Sequence, residues 1–176
     1  MADVDQWFVN QIVSGGQTGG QTGVDRAALD WARQREVVHG GWCPKGRLAA
    51  DGPLPAHYLP RETDSTGYRQ RTKLNVRDSD ATLIFNMGPL DGGTLQTVRF
   101  AQILGKPHLV VQLDELALEG AVRNVRAWLA EGRFHTLNVA GPREEKRPGV
   151  YAWVHGLLEA CLKTRDGVGA TAERRY

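Results

Sequence analysis

Two glycine-threonine stretches carry the residue types that could hold an anion. The first is Ser14-Gly15-Gly16-Gln17-Thr18-Gly19-Gly20-Gln21-Thr22-Gly23. The second is Gly88-Pro89-Leu90-Asp91-Gly92-Gly93-Thr94. Each follows an apolar run and precedes a helical pattern. Glycine lets the backbone approach a ligand closely, and a helix start behind it offers free N–H groups and the positive end of a dipole. Two such loops point to a pocket for an anion, most often a phosphate. Neither is a P-loop, because no Gly-Lys-Ser/Thr follows the glycines. Neither is a clean G-x-G-x-x-G opening a helix, and the first lacks the acidic residue expected about 20 positions on in a dinucleotide site. The bland alternative is that both loops are tight turns between strands and helices.

The first loop contains a tandem repeat, Gly15-Gly16-Gln17-Thr18 followed by Gly19-Gly20-Gln21-Thr22. One copy suffices to join a strand to a helix, since such connections usually take about 2–6 residues. The second copy adjoins Gly23 and is better placed to cap the helix, while the first follows the strand directly. Either could be the extra one. Other polar residues also have two readings. Lys45 and Arg47 could close over an anion or belong to a solvated loop. Asp25 suits the first turn of a helix as a dipole partner, and Arg26 could face a ligand. Asp78, Ser79 and Asp80 read as a turn with capping. Arg77 points to the pocket or to solvent. The five histidines are scattered and give no metal spacing, so no protein-only metal site is expected. Cys43 fits a small buried residue at a strand end better than a ligand or nucleophile.

The elements that must position these loops alternate. Phe8 to Ser14 reads as a strand, Asp25 to Arg35 as a helix, and Val37 to Trp42 as a strand. Residues 43–60 hold four prolines and should form no regular element. Tyr68 to Arg77 reads as a helix and Ala81 to Asn86 as a buried strand. Gly93 to Leu104 (helix), His108 to Val111 (strand), Gly120 to Glu131 (helix) and Thr136 to Ala140 (strand) continue the pattern, and Gly141-Pro142-Arg143 follows. Val150, Trp153, Val154, Leu157, Leu158 and Cys161 share one helix face, which should pack on the sheet. This alternation implies an α/β, Rossmann-like, doubly wound and mostly parallel sheet with helices on both faces. Ligands in that architecture sit beyond the carboxyl ends of the strands, where the winding reverses. Both glycine loops fall at that edge. Residues 1–163 should form a single domain, and the polar, glycine-containing 164–176 a flexible tail.

Composition narrows the function classes. The 176 residues carry a net charge of +2, too small for a polycation aimed at nucleic acid. Arginines outnumber lysines by 17 to 5, which suits bidentate oxyanion binding but also fits genome composition. Two cysteines, Cys43 and Cys161, make no disulfide framework, so a reducing cytoplasm is expected. Met1 to Asn10 is acidic, with two aspartates and no lysine or arginine, unlike a signal peptide. No apolar run approaches the ~20 residues of a membrane span.

Several motifs in order carry a resemblance. Ser14 to Gly19 (Ser-Gly-Gly-Gln-Thr-Gly) comes first, then Val24 to Asp30 (Val-Asp-Arg-Ala-Ala-Leu-Asp). Trp42-Cys43-Pro44-Lys45-Gly46-Arg47, 50–55, 68–72, 75–82 and Gly92-Gly93-Thr94 follow. Over about residues 11–160 the chain resembles the molybdenum carrier family, circularly permuted YpsA-like members of the SLOG superfamily. That family's pattern has one Gly-Gly-Gln-Thr-Gly, so the repeat here is a departure. The resemblance implies a Rossmann-like fold, a homo-oligomer, and binding of molybdenum cofactor or a related phosphorylated ligand. More distantly, the chain resembles the Lonely Guy phosphoribohydrolases, whose motif is P-G-G-x-G-T-x-x-E with an upstream arginine. Gly92, Gly93 and Thr94 match its glycine-threonine part, and Arg71, ten residues before Ala81, matches the arginine. Thr97 stands where that motif has glutamate. Cleavage through an oxocarbenium-like state is helped by a nearby carboxylate, which threonine cannot supply. Asp91, in the same loop, could substitute.

The sequence therefore predicts a binding protein for a phosphorylated, nucleotide-like or pterin-type ligand, with a nucleoside-monophosphate hydrolase as the alternative. The ligand is held by residues 15–22 and by Gly92, Gly93 and Thr94. Arg71 or Arg77 completes the charge, and Lys45 is a further candidate.

Overall fold

The computed structural model describes residues 9–16, 23–47 and 52–162. Six strands form one sheet: β1 (Gln11–Val13), β2 (Val38–Cys43), β3 (Pro60–Glu62), β4 (Ala81–Asn86), β5 (His108–Gln112) and β6 (Thr136–Ala140). Five helices accompany them: α1 (Gly23–Gln34), α2 (Tyr68–Arg77), α3 (Gly92–Ile103), α4 (Leu118–Gly132) and α5 (Val150–Cys161). The strand order is β3-β2-β1-β6-β4-β5 and every pairing is parallel.

The handedness of parallel crossovers explains how the helices are shared out. The step from β1 to β2 runs along the sheet one way, and the step from β4 to β5 runs the other way. A right-handed crossover then puts α1 and α3 on opposite faces. One face is covered by α1, α4 and α5, where α5 packs against both α1 and α4. Its Val150, Val154, Leu157 and Leu158 share the main core with Ile12, Leu83, Phe85, Leu137 and Val139. The face expected for α5 is thus the one it buries. On the other face α2 and α3 pack together over a small cluster of Val76, Phe100 and Ala101.

Every residue of β4 is buried, as expected of a central strand covered on both faces. Side chains alternate along it, so Leu83 and Phe85 enter the main core while Thr82, Ile84 and Asn86 face the other way. Beneath α2 and α3 that second face is partly polar: Asn138 Nδ2 donates to Thr82 Oγ1 at 3.3 Å, with both residues buried.

The proline-rich stretch departs from expectation. It holds short 3₁₀ turns at Lys45–Arg47 and Ala56–Tyr58, and it ends in β3, which begins on Pro60. A proline removes one ladder donor, and among the described residues β3 pairs on one side only, so an edge strand can begin there. The segment is tied down by Tyr58, whose hydroxyl donates to Asp30 Oδ1 at 2.6 Å; Tyr151 donates to Oδ2 of the same carboxylate at 2.7 Å.

Both cysteines are buried. Burial pushes the Cys43 thiol up, reinforced by Glu62, and pushes Cys161 up to about 12. Thiolate is the reactive form, so native protein should resist iodoacetamide at neutral pH and take it up at both sites in urea. Rapid labelling of either cysteine in the native state, read by intact mass, would contradict this.

Candidate functional site

Three chain segments leave the carboxyl ends of neighbouring strands and converge. Ser14-Gly15-Gly16 follow β1, Gly141-Pro142-Arg143 follow β6, and the loop after β4 leads into α3. A cavity of about 400 Å³ opens between them. α1 contributes Asp25 to its wall, α2 contributes Tyr68 and Arg71, and α3 contributes Gly93, Thr94 and Thr97. Ala140 at the end of β6 also lines it, and the segment after β6 supplies residues 141–143, Glu145 and Lys146.

Arg71 is the deepest cation. It is 7% exposed, and its Nη1 donates to Asp25 Oδ2 at 3.3 Å. Burial lowers the Arg71 pKa, and the Asp25 carboxylate acts against that shift. Its Nε is buried without a hydrogen-bond partner. Leaving such a donor unmet is costly, and a group left in that state is a mark of a ligand site or an absent water. Gly15 explains how the guanidinium fits. A Cβ there would lie 1.5 Å from Arg71 Nη1 and 3.0 Å from Asp25 Oδ2. The glycine is needed for the room its missing side chain leaves.

Among the described residues nothing caps the start of α3. Its N-cap is Asp91, in extended conformation, with no side-chain capping bond. The first intrahelical bond recorded there is Leu95 N–H to Asp91 O at 3.0 Å, so the N–H groups of the first turn have no intrahelical acceptor. Among the described residues a Cβ added to Gly93 would meet nothing within 4 Å. Thr94 is buried at the cavity wall. Thr97 is buried as well, and its hydroxyl donates to Gly93 O at 2.9 Å. The position where the phosphoribohydrolase motif has glutamate therefore faces the cavity but brings no charge.

Of the residues expected at the site from the sequence, Gly15, Arg71, Gly93 and Thr94 come together; Asp25, read there as a helix-dipole partner, joins them in the cavity wall. Gly16 and Gly92 stand beside them, with φ of +61° and +49°. Gln17, Thr18, Gly19, Gly20, Gln21 and Thr22 lie outside the described residues. Lys45 is exposed in the 3₁₀ turn after β2 and is not among the cavity-lining residues. Arg77 ends α2 and forks onto Asp78 at 2.6 and 3.0 Å, away from the lining. Asp91, the loop carboxylate, instead pairs with Lys146. Tyr68, Arg143, Glu145 and Lys146 were not singled out by sequence. Gly141-Pro142-Arg143 after a strand was the available signal, since that position falls at the carboxyl edge. Two guanidinium groups approach the Tyr68 ring, with Arg71 Cζ 5.8 Å and Arg143 Cζ 5.5 Å from its centroid. Among the described residues no group of three His, Cys, Asp or Glu could hold a metal ion.

Fold and cleft together define a doubly wound parallel α/β protein with a cationic crevice at its switch point. Residues 12–162 match the model of the circularly permutated YpsA SLOG family, and the chain belongs to that family. It is also similar to a solved structure from Syntrophus aciditrophicus SB named "putative molybdenum carrier protein". The two share 42% identity and a TM-score of 0.85, over 90% of this chain and 98% of that one. No curated protein matches the chain.

Proposed function

We propose that the protein binds a small phosphorylated molecule in this crevice, nucleotide-like or pterin-type, with molybdenum cofactor as its first candidate cargo. The observation that carries this is the uncapped first turn of α3 beside a buried Arg71 with an unmet donor. Helix N-terminal N–H groups and arginine are both suited to a phosphate. The name of the Syntrophus protein supports a carrier role and the choice of cargo. A homo-oligomer, expected from the family resemblance, and a cytoplasmic setting, expected from cysteine use, belong to the same proposal. No helix among the described residues is long and apolar enough to cross a membrane. Native mass spectrometry of protein purified without added ligand tests the reading, because it reports bound mass and subunit number together. A retained ligand lacking phosphorus would count against it.

A hydrolase reading has one observation in its favour: two carboxylates, Asp25 and Glu145, do line the cavity. Asp25 is occupied with Arg71, and Thr97 is turned to the backbone. We expect no free base above background from AMP, GMP, CMP or UMP. Turnover by wild type that disappears in Glu145→Gln or Asp25→Asn, and survives in Asp91→Asn, would make the hydrolase primary.

A further inference from the structure

The cation nearest the open helix start is Lys146, and it is held by another group. Lys146 Nζ is paired with Asp91 Oδ1 at the N-cap of α3. A Cβ built on Gly92 would lie 3.5 Å from the same ammonium. The ammonium therefore hangs over the first residue of the helix, where its N–H groups are open. Lys146 also lines the cavity, whereas Asp91 does not.

The backbone that carries Lys146 is fixed on both sides. Upstream, Lys146 N–H and Arg147 N–H both donate to Arg143 O, at 3.1 and 3.0 Å. Arg147 Nε donates to Met87 O in the loop after β4. Downstream, Glu144 accepts from Gly149 N–H and from Tyr151 N–H, the latter at 2.9 Å, which seats the strap on the start of α5. The Lys146 side chain is the part left to move. Its pair with Asp91 is solvent-facing, with side chains 43% and 52% exposed, and pairs of that kind are weak.

We propose that Lys146 is a ligand-gripping residue held in waiting by Asp91. An anion docking on the first turn of α3 takes the ammonium over, and Asp91 acts as an internal competitor that sets the affinity of the site. This rests on the anion reading of the crevice, which has its own support in the buried unmet Nε of Arg71. No covalent step is involved; one ion pair is exchanged for another.

The test is calorimetric titration of the full chain with inorganic phosphate and with AMP. Asp91→Asn keeps the side-chain shape and the capping class at that position and frees Lys146. It should bind several-fold more tightly than wild type. Lys146→Met should bind about tenfold more weakly, the scale of one charge-assisted hydrogen bond. The double variant should match Lys146→Met, because without the lysine there is nothing for Asp91 to withhold. Equal affinity of wild type and Asp91→Asn overturns the proposal. So does a double variant clearly tighter than Lys146→Met, which would make Asp91 a mere repelling charge. If Gly93→Leu abolishes binding while Lys146→Met leaves it unchanged, the crevice stands and the exchange is refuted. If neither probe binds wild type, the anion reading fails and takes this proposal with it.

Discussion

Gly93→Leu is expected to abolish binding of phosphate, AMP and a pterin phosphate while leaving the fold intact. A Cβ at Gly93 meets no atom of the described residues within 4 Å, so among them the leucine has room to enter the cavity. Once there it fills part of about 400 Å³ and covers the first-turn N–H groups of α3. Losing two charge-assisted backbone hydrogen bonds at about 1.5–3 kcal/mol each would weaken binding at least a hundredfold. Leucine also favours a helix over glycine by roughly 0.5–1 kcal/mol, so stability should hold or rise. Calorimetric titration and thermal melting read the two effects separately. A variant that binds all three ligands as wild type does would move the anion site elsewhere. A wild type that binds none of them would favour glycine loops that only turn the chain.

Arg71→Met should produce the second large effect, on stability as well as binding. Asp25 and Arg71 are 5% and 8% exposed at their side chains. Removing one partner of a buried pair typically costs about 3–5 kcal/mol, because the remaining charge stays out of water. We expect a loss of about 3 kcal/mol in urea unfolding and no detectable phosphate binding. The double variant Asp25→Asn with Arg71→Met should recover much of the stability, since the buried carboxylate is removed together with the guanidinium it faces, and none of the binding. A single variant as stable as wild type would mean that the pair contributes little. A stable single variant that still binds phosphate would remove Arg71 from the site.

Local chemistry made much of the fold legible. The sequence reading placed α2, β4, β6 and α5 at the bounds they have, the last from its apolar face, and strand-helix alternation implied parallel pairing. It missed β3, because prolines mark a break in any regular element and the exemption for an edge strand depends on where the strand sits. The glycine loops were expected at the carboxyl edge of the sheet, where the described part of each lies, and Arg71 came from the resemblance to the Lonely Guy phosphoribohydrolases, by its place ten residues ahead of Ala81. Lys45 and Arg77 were proposed for their charge alone. Charge in sequence carries no direction, and Arg77 meets Asp78, its own neighbour, before anything else.

What the sequence determined by itself was the set of parts: five of the six strand runs and helix starts behind glycine, with the family resemblance adding that Thr97 stands where a carboxylate would. Periodicity, turn chemistry and capping act over a few residues, so they can be read along the chain. The tertiary structure decided the strand order, with β6 inserted between β1 and β4. That insertion brings the segment after β6, with Arg143, Glu145 and Lys146, to a crevice otherwise built from far earlier residues. It also decided that Gly15 exists to make room for Arg71, 56 positions away in the chain. Such pairings follow from crossover handedness and close packing among distant segments, which no local pattern records.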